Sequence, residues 1–147
     1  MVTKSINRLD TLINIIPHLL LNMDESDLTL KTSPEKWSKK EILGHLIDSA
    51  TNNHQRFIRG QYEDVPTIFY DQNQWNKLSH YHEMSTKQII SFWTMYNKHL
   101  LHIIKHIPND NLQKKCRAFD GNTYTLEFLI NDYVVHLEHH LRQVVRY

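Results

Sequence analysis

Two histidines near the end of the chain, His136 and His140, have the spacing of a metal-binding pair. Residues four apart lie on the same face of a helix, so their imidazoles can converge on one ion. The HExxH helices of zinc enzymes use the same spacing. The chain contains 11 His, and neutral imidazole is the commonest metal ligand in proteins. The pair therefore predicts two ligands of a divalent metal ion.

A third histidine, His45, lies beside the apolar face of an earlier predicted helix. A polar band continues from it along the same helix through Ser49, Asn52, Asn53 and Arg56. A polar band next to a core face is typical of one wall of a polar cleft. If the two helices are neighbours, His45, His136 and His140 can bind one ion and leave open coordination positions, as catalytic metal sites do.

The polar band also supplies candidates for catalysis and substrate binding. Asp48, one turn after His45, is interpreted as a base or as the hydrogen-bond acceptor of a ligand imidazole. Arg56 can hold a substrate carboxylate through two oxygens, and Ser49, Asn52 and Asn53 are predicted to contact the same substrate. Gln143, three residues after His140, can orient a ligand or a bound water.

Each of these residues also has a plainer structural interpretation. His102 and His106 share the four-residue spacing, but they lie in the last turns of a helix, where a solvated imidazolium complements the helix dipole. Asp48 is equally consistent with a surface carboxylate, and Arg56 with an ion pair to Glu63 or Asp64. Spacing alone therefore does not separate a ligand set from a chance placement of histidines.

Apolar residues at three- and four-residue steps predict four helices. These cover about residues 3–22, 38–59, 85–108 and 125 to nearly 147. Capping residues mark three of the starts: Ser38, Ser85 and Thr125. Residues 61–84 have no sustained period, and we expect a long connection that crosses the bundle, containing some short helix. The predicted fold is an all-α four-helix bundle with a long crossover between its second and third helices.

Composition restricts the class of protein further. A chain of 147 residues with 17 Lys+Arg and 16 Asp+Glu predicts a single domain covering residues 1–147. Basic and acidic residues are interspersed, which disfavours nucleic acid as a partner. The N-terminal segment has no continuous apolar span and no cleavage site, so no membrane partner is expected. The single Cys116 forms no intramolecular disulfide and favours a cytoplasmic location.

Two segments resemble the signatures of the DinB/YfiT-like superfamily. The first is Trp37-Ser38 followed by EILGHLIDS at residues 41–49, and the second is HLEHHLRQV at residues 136–144. They stand in the order and in the helices that this superfamily uses. Together with the length and the four-helix pattern, they identify the chain as a member over nearly its whole length.

The resemblance implies an up-down-down-up bundle that binds zinc or nickel through His45, His136 and His140, with His139 at a non-ligand position. It also implies a homodimer. Members use the ion to activate water or a low-molecular-weight thiol, so a small-molecule hydrolase or thiol S-transferase is expected. Two alternatives remain open at this point. One is a stress-response protein that binds the metal or a small ligand without turnover, and the other is a dimerising bundle with a vestigial histidine cluster.

Overall fold

The four long helices are those that the sequence predicts. A computed structural model describes residues 2–147 and contains the long helices α1 (Thr3–Leu21), α3 (Lys39–Arg59), α5 (Thr86–Lys105) and α6 (Leu126–Val144). The shorter elements are α2 (Glu25–Thr29), α4 (Gln72–Ser79), 3-10 turns at Tyr81–Glu83 and Asn109–Gln113, and a hairpin of β1 (Lys115–Arg117) and β2 (Thr123–Thr125). The all-α four-helix bundle with a long crossover is confirmed.

Side-chain caps set the starts of two of the four long helices. The Oγ of Ser38 accepts a hydrogen bond from the Glu41 backbone N–H at 3.1 Å, and the Glu41 carboxylate accepts one from the Ser38 N–H at 2.7 Å. This capping box satisfies two otherwise unpaired donors at the start of α3. Thr125 caps α6 through the N–H of Phe128. Ser85 precedes α5 but makes no capping hydrogen bond, so α5 depends on its packing.

Helices α3 and α5 run in the same direction, and this direction explains the long crossover. At one end of the bundle, Glu25 accepts hydrogen bonds from Lys40 of α3 and Thr86 of α5. Towards the other end, His54 of α3 contacts Tyr96 of α5. Because α3 has 21 residues and is about 30 Å long, the chain must return along its whole length before α5 begins.

Helix α1 lies beside α6 and parallel to it. Ser5 bonds to Asn131, and further along both helices Arg8 bonds to Glu138. With α3 and α5 running the opposite way, the order is up-down-down-up. Buried apolar side chains from all four long helices form one core cluster. In residues 2–147, none of the helices combines the length and apolar character needed to span a membrane.

Helix α3 also buries a row of polar side chains, namely His45, Asp48, Ser49, Asn52 and Asn53. The crossover covers this face of the helix. Asn76 of α4 donates a hydrogen bond to the Glu41 carbonyl at 2.8 Å, and Tyr81 packs directly against Gly44. The polar band predicted to line a cleft is therefore enclosed by the returning chain, and its groups need partners inside the protein.

Candidate metal centre

The two histidines of α6 lie together beside the apolar stripe of that helix. The ring centroids of His136 and His140 are 4.6 Å apart. Leu137 and Leu141, adjacent in sequence, are fully buried in the core. Helical periodicity therefore holds both imidazoles at the edge of the core, on the side of α6 that faces His45 of α3.

His45 of α3 completes the cluster from the facing helix. Its side chain is 1% exposed, and its Nε2 lies 3.2 Å from Nε2 of His136. One ring nitrogen from each of His45, His136 and His140 falls within a group whose members are all within 4.8 Å of one another. The structure thus brings together the three residues that the sequence predicts as ligands.

The cluster fits a divalent ion in both spacing and donor type. Nitrogens that each lie about 2.1 Å from a tetrahedral zinc ion are about 3.4 Å apart, close to the 3.2 Å between His45 and His136. Neutral imidazole nitrogen is a donor that both zinc and nickel accept. The other ring nitrogen of His45, Nδ1, is buried without a hydrogen-bond partner within residues 2–147.

Burial keeps these imidazoles uncharged at neutral pH. Desolvation, followed by the neighbouring His136 and His140, lowers the pKa of His45 to about 3. Desolvation and His140 lower the pKa of His136 to about 4, and burial also lowers the pKa of His140. A metal needs the deprotonated ring, so the environment supplies all three ligands in the required form.

Two neighbours orient the rings. The Nδ1 of His140 lies 2.9 Å from Oε1 of Gln143. Since an amide oxygen can only accept, Nδ1 carries the proton and Nε2 keeps its lone pair. The indole of Trp37 packs on His45 with the ring centroids 4.9 Å apart. The spacing of Gln143 from His140 predicts its role, whereas Trp37 stands in the sequence only as part of the first DinB/YfiT-like signature.

Replacing Gln143 by leucine is expected to weaken zinc or nickel binding by roughly 10- to 100-fold, the usual effect of losing a group that orients a ligand histidine. The leucine side chain cannot accept a hydrogen bond from Nδ1 of His140, so the orientation of the ring is no longer fixed. Competition with a chromogenic chelator measures the affinity. Gln143→Glu keeps an acceptor and should retain most of the binding. Equal affinity of wild type and Gln143→Leu would contradict this role.

Asp48 is enclosed rather than exposed. Its side chain is 3% exposed, and its Oδ1 accepts a hydrogen bond from the Tyr81 hydroxyl at 2.5 Å. The other oxygen, Oδ2, is buried without a partner in residues 2–147. Burial raises the pKa of Asp48 to about 6, although the Tyr81 hydrogen bond acts in the opposite direction. This carboxylate therefore accepts its hydrogen bond from Tyr81 and not from a ligand imidazole.

The raised pKa of Asp48 predicts a pH-dependent stability difference between wild type and Asp48→Asn. A carboxyl whose pKa is higher in the folded state stabilises the fold in acid and loses this contribution as pH rises. The window runs from the ordinary value of 3.8 to the folded value of about 6. Across it, wild type should lose up to roughly 3 kcal/mol relative to Asp48→Asn. Urea unfolding from pH 4 to 8 measures the difference.

The exposed Asp110 provides the control for this prediction. Asp110→Asn should leave the pH profile of wild type unchanged, since the side chain of Asp110 stays in contact with water in the folded protein. The imidazoles titrate in wild type and variant alike, so their contribution cancels in the comparison. Parallel profiles for wild type and Asp48→Asn would show that Asp48 is not desolvated.

Arg56 points along α3 and the crossover, not into an ion pair. Its guanidinium donates to Oδ1 of Asn53 at 3.2 Å and to the Ile68 carbonyl at 3.1 Å. Burial lowers its pKa. The ion pair with Glu63 belongs instead to Arg59, at 2.7 Å. The alternative interpretation of Arg56 as the partner of Glu63 or Asp64 is therefore not what the structure shows.

The two buried asparagines use their amide donors within α3. Asn52 donates to the Asp48 carbonyl and Asn53 to the Ser49 carbonyl, both at 2.9 Å. The side-chain oxygen of Asn53 also accepts from Arg56. Asn53 thus fixes the direction of the guanidinium, a role that becomes visible only when the side-chain contacts are known.

Histidines outside the cluster have other surroundings. His102 and His106 are exposed at the end of α5, and the Nδ1 of His106 contacts the His102 carbonyl. His139 is exposed, next to Gln143. Within residues 2–147, the only group of at least three His, Cys, Asp or Glu residues positioned to hold a metal is His45, His136 and His140.

Fold and site together define an up-down-down-up helical bundle with a candidate three-histidine metal centre between α3 and α6. Residues 8–144 match the family model of the DinB superfamily, and the chain belongs to this superfamily. The resemblance seen in the two sequence signatures is thereby confirmed.

Two curated relatives cover most of the chain. A protein of Halalkalibacterium halodurans, named as a candidate metal-dependent hydrolase, is 25% identical over 140 residues, which are 95% of this chain and 81% of the relative. A protein of Oceanobacillus iheyensis with the same description is 19% identical over 144 residues, or 97% of this chain and 83% of the relative.

Solved structures share the fold at lower identity. YfiT from Bacillus subtilis, described as a candidate metal-dependent hydrolase with an unusual four-helix bundle topology, matches with a TM-score of 0.86 and 21% identity over 96% of this chain and 82% of its own. A variant of the mycothiol-dependent maleylpyruvate isomerase matches with a TM-score of 0.81 and 7% identity over 100% of this chain and 62% of its own. These likenesses establish the fold.

Proposed function

We propose that the protein is a metal-dependent enzyme that activates water or a low-molecular-weight thiol at a centre formed by His45, His136 and His140. The observation that carries this proposal is the convergence of three buried or half-buried imidazole nitrogens within 4.8 Å. A nitrogen ligand set suits zinc and nickel, and we propose one of these ions. The candidate hydrolase descriptions of the two curated relatives support the same class of function.

His45, His136 and His140 would hold a zinc or nickel ion, whose chemistry would be to lower the pKa of water or of a thiol and so provide a nucleophile at neutral pH. The chain then has to hold the ligands and accept a proton. Gln143 and Trp37 fix the directions of His140 and His45. Asp48 is the proposed proton acceptor, because its Oδ2 is free of protein partners and its pKa of about 6 suits a base that works near neutral pH.

The substrate side of the proposal rests on the remaining buried polar residues. Arg56 is the proposed anion-binding residue, since its planar guanidinium can bind two oxygens. Ser49, Asn52 and Asn53 remain proposed substrate contacts, and Asn53 additionally orients Arg56. A thiol nucleophile is supported by the mycothiol dependence of an isomerase that shares the fold. We further propose that the protein acts in the cytoplasm as a homodimer.

The direct test combines metal analysis with a substrate panel. Protein purified without a histidine tag is analysed for bound metal, stripped with a chelator, and reloaded with zinc or nickel. Each form is assayed with water alone and with thiols against nitrophenyl esters, chlorinated aromatics and epoxides. We expect turnover only in a metal-loaded form and its loss in His45→Ala, because His45 is the α3 contribution to the centre.

Four outcomes distinguish the interpretations. Metal-dependent turnover that disappears in His45→Ala supports the enzyme, and the active nucleophile separates a hydrolase from a transferase. Stoichiometric metal without turnover on any substrate favours the alternative of a metal-binding or ligand-binding protein. Absence of metal uptake on titration overturns both the enzyme and the metal-binding interpretation. Turnover that is unchanged in His45→Ala overturns the catalytic role of the centre.

A further inference from the structure

A cavity of about 450 Å³ opens between the second half of α3 and the first half of α6, and its lining includes none of the three candidate ligands. Its lining includes Arg56 from α3, Phe69 and Tyr70 from the crossover, Phe119 from the hairpin turn, and Phe128 and Asp132 from α6. Asp132 lies one helical turn before His136, so this cavity continues along the α6 face that carries the histidines. Its volume falls in the range of small-molecule sites.

The cavity contains a guanidinium without a counter-ion. Arg56 uses two of its five N–H donors on Asn53 and Ile68. Within residues 2–147, the ion pairs of the structure involve other basic residues and no carboxylate pairs with Arg56. A partly buried cation of this kind is stabilised by an anion from outside the chain.

The outer walls of the cavity are aromatic and solvent-accessible. Phe69 is 52% exposed and Phe119 is 82% exposed, and their rings meet edge to face with centroids 5.4 Å apart. Tyr124 and Phe128 stack at 4.9 Å on the same cavity. Single exposed aromatic residues are ordinary, but several around one cavity mark a binding surface for an apolar body. Offset and edge contacts favour an aromatic ring.

Two carboxylates also line the cavity, and they set the charge that it accepts. Asp120 is occupied by hydrogen bonds from Asn122 and Tyr124. Asp132 is exposed, and its negative charge acts on Arg56. With one cation and two carboxylates, Asp120 and Asp132, in the lining, a second negative charge on a ligand would be repelled, so a ligand whose single negative charge meets Arg56 is favoured over a ligand with two.

We infer that this cavity is the substrate pocket and that it selects an aromatic monocarboxylate, with the carboxylate on Arg56 and the ring against Phe69, Phe119 and Phe128. The inference rests on the proposed function for the statement that the ligand is a substrate. The selection itself follows from the unpaired guanidinium, the aromatic walls and the position of Asp132.

The test is calorimetric titration of the metal-loaded full chain with matched probes. 3-Phenylpropanoate is the aromatic monocarboxylate, 3-phenylpropanamide its neutral analogue, propanoate the probe without a ring, and phenylsuccinate the dicarboxylate. We expect 3-phenylpropanoate to bind at least about 10-fold more tightly than each of the others, because a charge-assisted hydrogen bond to a half-buried guanidinium and the burial of a ring both contribute.

Variants assign the contributions to residues. Arg56→Gln should weaken 3-phenylpropanoate by about 10-fold or more without affecting the amide. Arg59→Gln is the matched control, since Arg59 pairs with Glu63 outside the cavity, and it should change nothing. Phe119→Ser replaces an exposed ring and cannot disturb the core, so it tests the aromatic wall even if Arg56→Gln fails to fold. Asp132→Asn should reduce the difference in affinity between phenylsuccinate and 3-phenylpropanoate, because one negative charge is removed from the cavity.

Equal binding of the acid and its amide, or failure of 3-phenylpropanoate to bind at millimolar concentration, would overturn the inference. If Phe119→Ser bound 3-phenylpropanoate as tightly as wild type, the proposed role of the aromatic wall would be overturned. Metal content is measured on the same samples. A protein that holds metal but does not discriminate among the probes refutes the pocket alone, whereas selective binding by a protein that takes up no metal refutes the proposed function alone.

Discussion

Substitution of His136 by alanine is expected to lower zinc or nickel affinity by more than about 100-fold, beyond the 10- to 100-fold range that is usual for residues outside the ligand set. His136 contacts both other ligands: its Nε2 lies 3.2 Å from Nε2 of His45, and its ring centroid is 4.6 Å from that of His140. Its removal leaves one ligand on each helix, His45 on α3 and His140 on α6. Equilibrium dialysis with metal analysis measures the loss.

The same variant should also lose stabilisation by metal. For wild type, free ion at 100 times the dissociation constant adds about 2.7 kcal/mol to the free energy of unfolding, or a rise in Tm of roughly 10 °C for a domain of this size. His136→Ala should show almost none of this rise while its apo form still unfolds cooperatively.

His139→Ala is the matched control, because His139 is exposed on the same helix and has no ligand atom in the cluster. It should bind metal like wild type. If His136→Ala and His139→Ala reduced affinity equally, the binding would belong to a surface histidine cluster rather than to the centre between α3 and α6.

Substitution of Gly44 by alanine is expected to destabilise the fold by about 2–4 kcal/mol, through overpacking and a lost buried hydrogen bond. A Cβ at this position would lie 2.6 Å from Cε2 of Tyr81 and closer still to Cγ. The ring would have to move, and the hydrogen bond from Tyr81 to Asp48 would break. Alanine gains about 1 kcal/mol in helix propensity over glycine, which is too little to offset both costs.

A double-mutant cycle tests whether Tyr81 is the cause. Gly44→Ala should be well tolerated in a Tyr81→Ala background, because the clashing ring is absent, and the coupling free energy should exceed about 1 kcal/mol. Tyr81→Phe isolates the hydrogen bond, since it keeps the ring and removes only the hydroxyl. Additive effects of Gly44→Ala and Tyr81→Ala would show that the ring does not approach α3 this closely.

Helix positions could be predicted because their signals are local. Ser38 with Glu41 and Thr125 form the expected caps, and apolar periodicity predicted α1, α3, α5 and α6 to within a few residues. The fold class was confirmed for this reason. The hairpin of residues 115–125 was harder to foresee, because its two strands of three residues each are too short for an alternating pattern.

The candidate ligands were predicted with different kinds of information. His136 and His140 share a helix, so their proximity follows from the helical repeat alone. His45 is on another helix, and its inclusion depended on the assumption that α3 and α6 are neighbours and on the resemblance to the superfamily. The distance between α3 and α6 cannot be derived from the positions of the histidines in the sequence.

Contacts made by the crossover could not be predicted. Asp48 was expected on the surface or beside an imidazole, but Tyr81 is its recorded hydrogen-bond partner. Arg56 was weighed against an ion pair to Glu63, which Arg59 makes instead. Asp48 and Tyr81 lie far apart in sequence, and Arg56 and Arg59 are both near enough to Glu63 in sequence to pair with it. Neither periodicity nor capping predicts which of these contacts forms.

By itself, the sequence determined the helices, their apolar faces and the pairing of His136 with His140, because each depends on interactions within a few residues of the chain. Only the tertiary structure decided which polar groups meet. The parallel direction of α3 and α5 forces residues 60–85 back across α3, and this return buries Asp48 under Tyr81 and places Phe69 and Tyr70 beside Arg56. The chemistry of the site therefore depends on long-range packing that no local pattern encodes.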